Sequence, residues 1–229
     1  MTAERTGPLC FLADGLWSWS ARHPSWRPGT EFGAEVACFA LRAGSGTILV
    51  DPLLPDSEPA LADALDEVIA GRVTVLITIP YHVRSAEQIW RRHGDAVEIL
   101  GHGAVGKRLA ARAPFRPVAA GERLPHGVSA HAIGSPRRQE LPMHLPGHRA
   151  LAFGDAVVGV GGGLRVWLQS PVTEKRLDWY RRRLVPTLEP LLELDFDRVL
   201  VTHGRPVLRG GRAALREALE APPWYHRPG

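Results

Sequence analysis

His82, Arg84 and Ser85 stand within four residues of one another, in the segment Ile79-Pro80-Tyr81-His82-Val83-Arg84-Ser85. An imidazole, a guanidinium and a hydroxyl at the lip of a helix beginning near Ser85 form a set suited to an anion. Arg84 pairs with a carboxylate or phosphate, while Ser85 and the helical N–H groups add donors. The same residues also suit a structural end, with Ser85 as an N-cap ahead of Glu87 and Gln88, Arg84 solvated and His82 packed. Asp155 follows Leu151-Ala-Phe-Gly and is either a ligand or general base, or an Asx-turn carboxylate holding backbone N–H groups. His203 ends Val199-Leu-Val-Thr and precedes Gly204. It reads as an acid/base or ligand imidazole, or as a strand-end histidine bonded to its loop. Trp26 lies in the Pro/Gly-rich stretch ARHPSWRPGTEFG, and Trp17 and Trp19 share one strand face by the period of two.

Other chemistries find no support. There is no G-x-S-x-G elbow, and Ser135 and Ser170, each beside a proline, have no base that the sequence identifies. The Gly159–Gly163 stretch lacks both G-x-G-x-x-G and a P-loop lysine, so it reads as a flexible turn. His144 and His148 are four apart, but Leu145-Pro146-Gly147 between them is a turn signal and defeats helical pairing. His93, His102, His126, His131 and His226 have no defensible partner spacing. Two cysteines, Cys10 and Cys38, exclude a disulfide framework or a Cys-rich zinc site.

The net charge of +4 comes almost wholly from arginine, with lysine only at 107 and 175. The arginines are scattered among acids rather than gathered on one face with aromatics, so no nucleic-acid partner is expected. No apolar run approaches the ~20 residues that span a bilayer, and the first residues lack a signal-peptide pattern. The expectation is a cytoplasmic protein with no membrane partner.

The elements that must position these groups follow from hydrophobic period. Apolar stretches within Leu9–Ser20, Glu35–Leu41 and Thr47–Val50, joined by short turns, predict antiparallel strands. A helix follows Asp56-Ser57-Glu58-Pro59, with Leu61, Leu65 and Val68 at helical spacing. Val73–Thr78 is the continuous apolar run of a buried strand. Helix over Ser85–Arg92, strand over Val97–Leu100 and helix over Val105–Arg112 come next. Strands return over Val128–Ile133, Leu141–Leu145, Arg149–Phe153 and Ala156–Val160. Helices over Lys175–Leu184 and Leu188–Leu194, a strand over Arg198–Thr202 and a helix over Arg212–Leu219 close the chain. Each half carries a sheet whose helices cover one face, and the economical packing is a four-layer α/β (αββα) sandwich formed by residues 1–229 as a single domain.

With these landmarks the chain resembles the metallo-β-lactamase fold superfamily, and the resemblance spans nearly all of it. Thr47-Ile-Leu-Val-Asp51-Pro is similar to the first strand-Asp motif, and Val75-Leu-Ile-Thr78 to the strand feeding the main metal loop. Leu151-Ala-Phe-Gly-Asp155 is similar to the motif whose carboxylate bridges two metals. Val199-Leu-Val-Thr-His203-Gly resembles the late strand-His-Gly motif. Each motif is weak alone, but four in order fix the fold.

The departures bear on function. The family's H-x-H-x-D-H loop is replaced by Ile79–Ser85. In one register the ligand positions hold Ile79, Tyr81, Val83 and Arg84; shifted by one, His82 alone matches, with Arg84 and Ser85 in place of the aspartate and last histidine. The middle P-G-H motif reads Ala132-Ile133-Gly134-Ser135-Pro136, with Gly134 at the histidine position. The resemblance leaves Asp155 and His203, with His82, as surviving metal ligands, and a tight binuclear zinc centre is not expected. The cofactor expectation is none, or a single zinc or other divalent ion. Three functions stay open. The first is metal-free binding of a small anionic or polar ligand, or acid/base chemistry, through His82, Arg84, Asp155 and His203, with Ser85 and Trp26 touching the ligand. The second is a mononuclear metal-dependent hydrolase of an ester, lactone or thioester, and the third is a non-enzymatic interaction protein. "Hydrolase-like" is an analogy from fold, which does not fix function.

Overall fold

The computed structural model describes residues 4–169 and 172–225; Ser170 and His226 lie outside them. The chain divides into two compact units, Met1–Pro24 with Glu35–Ala119, and Ser25–Ala34 with Ala120–Gly229.

The first unit is built on one eight-stranded sheet whose strand order follows the chain. Strands β1 (Glu4–Thr6), β2 (Leu9–Ala13), β3 (Leu16–Arg22), β4 (Glu35–Ala43) and β5 (Gly46–Val50) form an antiparallel meander. Helix α1 (Pro59–Val68) then carries the chain to β6 (Val73–Ile77), and α2 (Ala86–His93) carries it to β7 (Val97–Gly101), with β8 (Phe115–Pro117) at the edge. β5 to β8 run parallel, which requires crossovers longer than a hairpin turn, and the helices supply two of them. α1 starts at a proline in its first turn, where the missing N–H costs nothing. Leu61 and Leu65 of α1 and Ala86 and Ile89 of α2 pack on Val73, Val75, Ile77 and Ile99. The alternate residues Ile48, Val50, Leu76 and Leu100 are buried too. A parallel sheet buried on both faces reads as unbroken apolar runs, which is how Val73–Thr78 stood out in the sequence.

The second unit holds a four-stranded sheet of β9 (Ser129–Ala130), β10 (Met143–Leu145), β11 (Ala150–Phe153) and the later strand Arg198–Val201, with the separate hairpin β12 (Val157–Val160) and β13 (Gly163–Val166). Between the hairpin and that last strand come α3 (Glu174–Arg183) and α4 (Val185–Leu188); the strand Arg198–Val201 is β14, and α5 (Gly211–Glu220) follows it. Thr173 caps α3 by accepting the Arg176 N–H. Tyr180, Leu184, Leu188 and Leu215 pack on Leu151, Phe153, Val199 and Val201.

Two expected helices take another form: Leu188–Leu194 is largely a 3-10 segment, Glu189–Glu193, that follows α4. Val105–Arg112 is not an α-helix; a 3-10 turn spans Gly103–Arg108, where His102 accepts the Ala104 N–H through its ring. The turn expected within Gly159–Gly163 is a two-residue hairpin turn, where Gly161 and Gly162 adopt positive φ of 60° and 83° between paired strands. Among the described residues no helix is long and apolar enough to cross a membrane.

Candidate functional site

In the first unit, β5 and β6 are parallel with Val50 opposite Leu76, so the residues that follow each strand leave the sheet at the same edge. Ligand-contacting groups gather at such carboxyl ends in open α/β sheets. Asp51 is 1% exposed and sits at φ 46°, a conformation that aspartate tolerates better than most residues. Its Oδ1 accepts the Thr78 N–H at 2.8 Å, and its Oδ2 accepts the Thr78 hydroxyl and faces His82 Nδ1 at 2.8 Å. Burial alone would raise this carboxyl, but the His82 imidazole, then the Arg84 guanidinium and Thr78, outweigh burial and hold it below the usual range.

Arg84, at φ 35°, is turned back across the strand ends. Its Nη1 donates to the Asp51 carbonyl at 2.9 Å and lies 3.8 Å from Cys38 Sγ. Cys38 is buried, and burial pushes its thiol up to about 11. Ser85 precedes α2 but does not cap it: its hydroxyl accepts the Leu54 N–H at 2.8 Å and donates to the Leu54 carbonyl. Arg84 and Ser85 also line a polar cavity of about 390 Å³ with Arg91 and Arg108. Two carboxylates, Asp56 and Glu87, line it as well; Glu87 is bonded to Arg91 and to the Ala110 N–H, and Arg108 lies over the Tyr81 ring.

In the second unit, β11 and β14 are parallel with Phe153 opposite Val201. Two residues further along each strand come Asp155 and His203, and the register brings them together, with His203 Nε2 3.3 Å from Asp155 Oδ1. The other carboxylate oxygen, Oδ2, faces Arg137 Nη1 at 3.2 Å. Arg137 is 4% exposed, its guanidinium carbon is 5.1 Å from the Trp167 ring centre, and its Nε and Nη2 have no hydrogen-bond partner among the described residues. Glu140, fully buried, accepts the N–H groups of Gly154, Asp155 and Ala156 at 2.9, 3.1 and 3.0 Å. Burial pushes its carboxyl up to about 7, with Arg137 opposing that rise and Asp155 adding to it.

The His203 ring lies between Phe32, 5.2 Å away by ring centres, and Trp167 at 5.3 Å. Trp26 donates Nε1–H to the Phe32 carbonyl at 2.9 Å and so shapes the loop that presents Phe32. A cavity of about 300 Å³ opens here, walled by Phe32, Val160, Trp167, His203 and Trp224 and by glycine backbone. Gly204, at φ 83°, packs so closely that a Cβ would meet the Gly159 carbonyl oxygen at 2.0 Å.

The structure thus places His82 and Arg84 against Asp51, Ser85 against the Leu54 backbone, and Asp155 beside His203. Arg137 and Glu140 were invisible to sequence reasoning. They stand in the charged loop stretch Arg137-Arg138-Gln139-Glu140, which has neither period nor motif. Asp51 was legible only as the end of a strand motif.

The superfamily's chemistry uses paired divalent ions held by imidazoles and carboxylates. The donors here do not fit such a pair. The loop after β6 offers one imidazole, already bonded to Asp51, and a guanidinium at Arg84. The Asp155 carboxylate is neutralised by buried Arg137. Gly134 can carry no ligand, since a Cβ there would lie 2.3 Å from the Arg183 carbonyl oxygen.

No protein-family profile and no curated protein matches the chain. Solved structures do match it. One is a metallo-β-lactamase family protein from Thermus thermophilus, 16% identical, with a TM-score of 0.58 over 92% of this chain and 80% of that one. Another is a metallo-β-lactamase from Erythrobacter litoralis, with β-mercaptoethanol in its active site, 14% identical, with a TM-score of 0.63 over 96% and 99%. A flavodiiron core, Flv1 of Synechocystis sp. PCC6803, is 14% identical with a TM-score of 0.63 over 93% and 60%. Near-complete coverage at this likeness establishes architecture: the chain has the α/β fold of metallo-β-lactamases.

Proposed function

We propose that this protein is a hydrolase-like member of the fold that works without a binuclear metal centre, binding a small molecule and handling protons through imidazole–carboxylate pairs. The observation that carries the reading is the ion pair between Arg137 and Asp155. A guanidinium keeps its charge at every physiological pH, so the carboxylate that resembles the superfamily's bridging ligand already has a resident cation. Each unit offers one imidazole beside one carboxylate at the ends of parallel strands, His82 with Asp51 and His203 with Asp155. A carboxylate in this place fixes the tautomer of the ring. His203, walled by aromatic rings, is the proton carrier in this reading, with Asp155 orienting it and Arg137 holding Asp155. Arg84 serves an anionic substituent from the polar cavity.

The test is metal content by mass spectrometry on protein purified without a histidine tag or added zinc, together with its melting temperature under chelator. The expected result is far less than one equivalent of any transition metal and an unchanged melting temperature. One equivalent of zinc, iron or manganese that is lost in Asp155→Asn and His203→Gln variants overturns the reading in favour of a mononuclear metallohydrolase.

A further inference from the structure

The polar cavity of the first unit, about 390 Å³ and walled by Arg84, Ser85, Arg91 and Arg108 with Asp56 and Glu87, has a charge pattern that the protein balances only in part. Arg91 is neutralised by Glu87, whose second oxygen accepts the Ala110 N–H. Arg84 and Arg108 are held in place by neutral groups instead. Arg84 Nη1 donates to the Asp51 backbone carbonyl at 2.9 Å, while the Asp51 carboxylate takes its hydrogen bonds from Thr78 and His82. The Arg108 guanidinium carbon lies 4.3 Å from the Tyr81 ring centre, and a guanidinium stacked by its face keeps its edge N–H groups for an acceptor. Asp56, an exposed residue, meets Gln88 Nε2 at 3.4 Å, longer than the usual N–H···O bond. Two positioned cations and one carboxylate therefore line the cavity. A simple anion answers the cations but sits beside Asp56, and like charges held together repel. Two carboxylates and one ammonium on one small molecule answer all three. Val83 and Leu109 supply an apolar wall for the methylene groups between them, and the volume suits a small-molecule pocket.

We infer that this cavity is a binding site for a small acidic amino acid, with its two carboxylates taken by Arg84 and Arg108 and its ammonium by Asp56. The inference deepens the proposed function, on which it rests for the role of Arg84, by naming the class of molecule that bears the anionic group. Metal content and amino-acid affinity are separate measurements, so the two readings fail separately.

The experiment uses the full chain at low ionic strength, where charge pairs are least screened, and three probes followed by ligand-observed NMR: L-glutamate, glutarate and inorganic phosphate. L-Glutamate is expected to bind saturably with a dissociation constant of about 1 mM or below, within reach of a ligand of about ten heavy atoms. Glutarate keeps both carboxylates and lacks the ammonium, so it should bind about fivefold more weakly, the loss of one solvent-accessible ion pair. Phosphate should bind more weakly still. Asp56→Asn should weaken L-glutamate about fivefold and leave glutarate no weaker, whereas Arg108→Gln should weaken both by about that factor. Both side chains are exposed, so each variant should keep the native melting temperature. No saturable L-glutamate binding, glutarate or phosphate bound as tightly as L-glutamate, or an L-glutamate affinity that either substitution leaves unchanged would overturn the inference.

Discussion

Replacing Asp51 by asparagine asks whether His82 is held as a fixed partner or left free for chemistry. In the native chain the buried carboxylate takes three hydrogen bonds, from the Thr78 N–H, the Thr78 hydroxyl and His82. Asparagine keeps one oxygen for the Thr78 N–H and tolerates the positive φ of 46° at this position. Its amide nitrogen, however, replaces the acceptor that faced the hydroxyl and the imidazole. The hydroxyl can rotate and the imidazole can change tautomer, so both contacts survive as neutral ones. Hydrogen bonds to charged groups contribute ~1.5–3 kcal/mol against ~0.5–1.5 for neutral ones, so two downgraded bonds cost about 2–3 kcal/mol. Asp51→Ala also strands the N–H and the imidazole and puts a Cβ residue with no side-chain compensation in the left-handed region, and should cost about 5 kcal/mol. Either loss is a large share of a domain stability of ~5–15 kcal/mol.

The assay is urea unfolding at constant m-value, with His82→Gln and the double variant completing a cycle. A coupling of about 1–2 kcal/mol between positions 51 and 82 is expected. The pH dependence has a defined sign. The Asp51 carboxyl is held below its usual range, so its contribution is complete above about pH 4 and is lost as pH falls through the lower folded value. The gap between wild type and Asp51→Asn should close in strong acid, below about pH 4. An Asp51→Asn cost under about 0.5 kcal/mol with zero coupling would refute the reasoning and free His82 from a structural assignment.

Glu140 provides the opposite pH window. Burial pushes it up to about 7, so between about pH 4.5 and 7 the folded chain holds a proton that the unfolded chain releases, and stability falls as pH rises through that interval. Glu140→Gln retains an oxygen for the three turn N–H groups; it should match wild type near pH 5 and exceed it by about 3 kcal/mol at pH 8, and parallel pH curves in urea melts would contradict this. Restoring the superfamily's middle-motif imidazole by Gly134→His should yield no metal-binding protein, because a Cβ at 134 meets the Arg183 carbonyl oxygen at 2.3 Å and Thr187 Cγ2 at 2.9 Å. Gly134→Ala alone should cost about 3 kcal/mol by overpacking, read from the denaturation midpoint; a folded Gly134→His protein with bound zinc would sink that account.

What the sequence disclosed and what it hid divide along one physical line. Buried strands announce themselves, because a strand covered on both faces admits almost nothing but apolar residues, as in Val73–Ile77 and Ala150–Phe153. The register of parallel strands then carries Asp51 to Thr78 and Asp155 to His203 with no further information, which is why strand-end motifs located half of the candidate site. Arg137 and Glu140 follow no such rule. An arginine in a loop of charged residues is normally solvated, and nothing local separates it from one that is 4% exposed and paired with a carboxylate eighteen residues on. That carboxylate stands in the turn Gly154–Ala156, whose three N–H groups converge on Glu140. Three converging N–H groups require an acceptor, and the acceptor's charge in turn favours a cation nearby. The strand-Gly-Asp motif therefore carries an implicit demand for charge. In this chain the Arg137 guanidinium stands beside the Asp155 carboxylate of that motif.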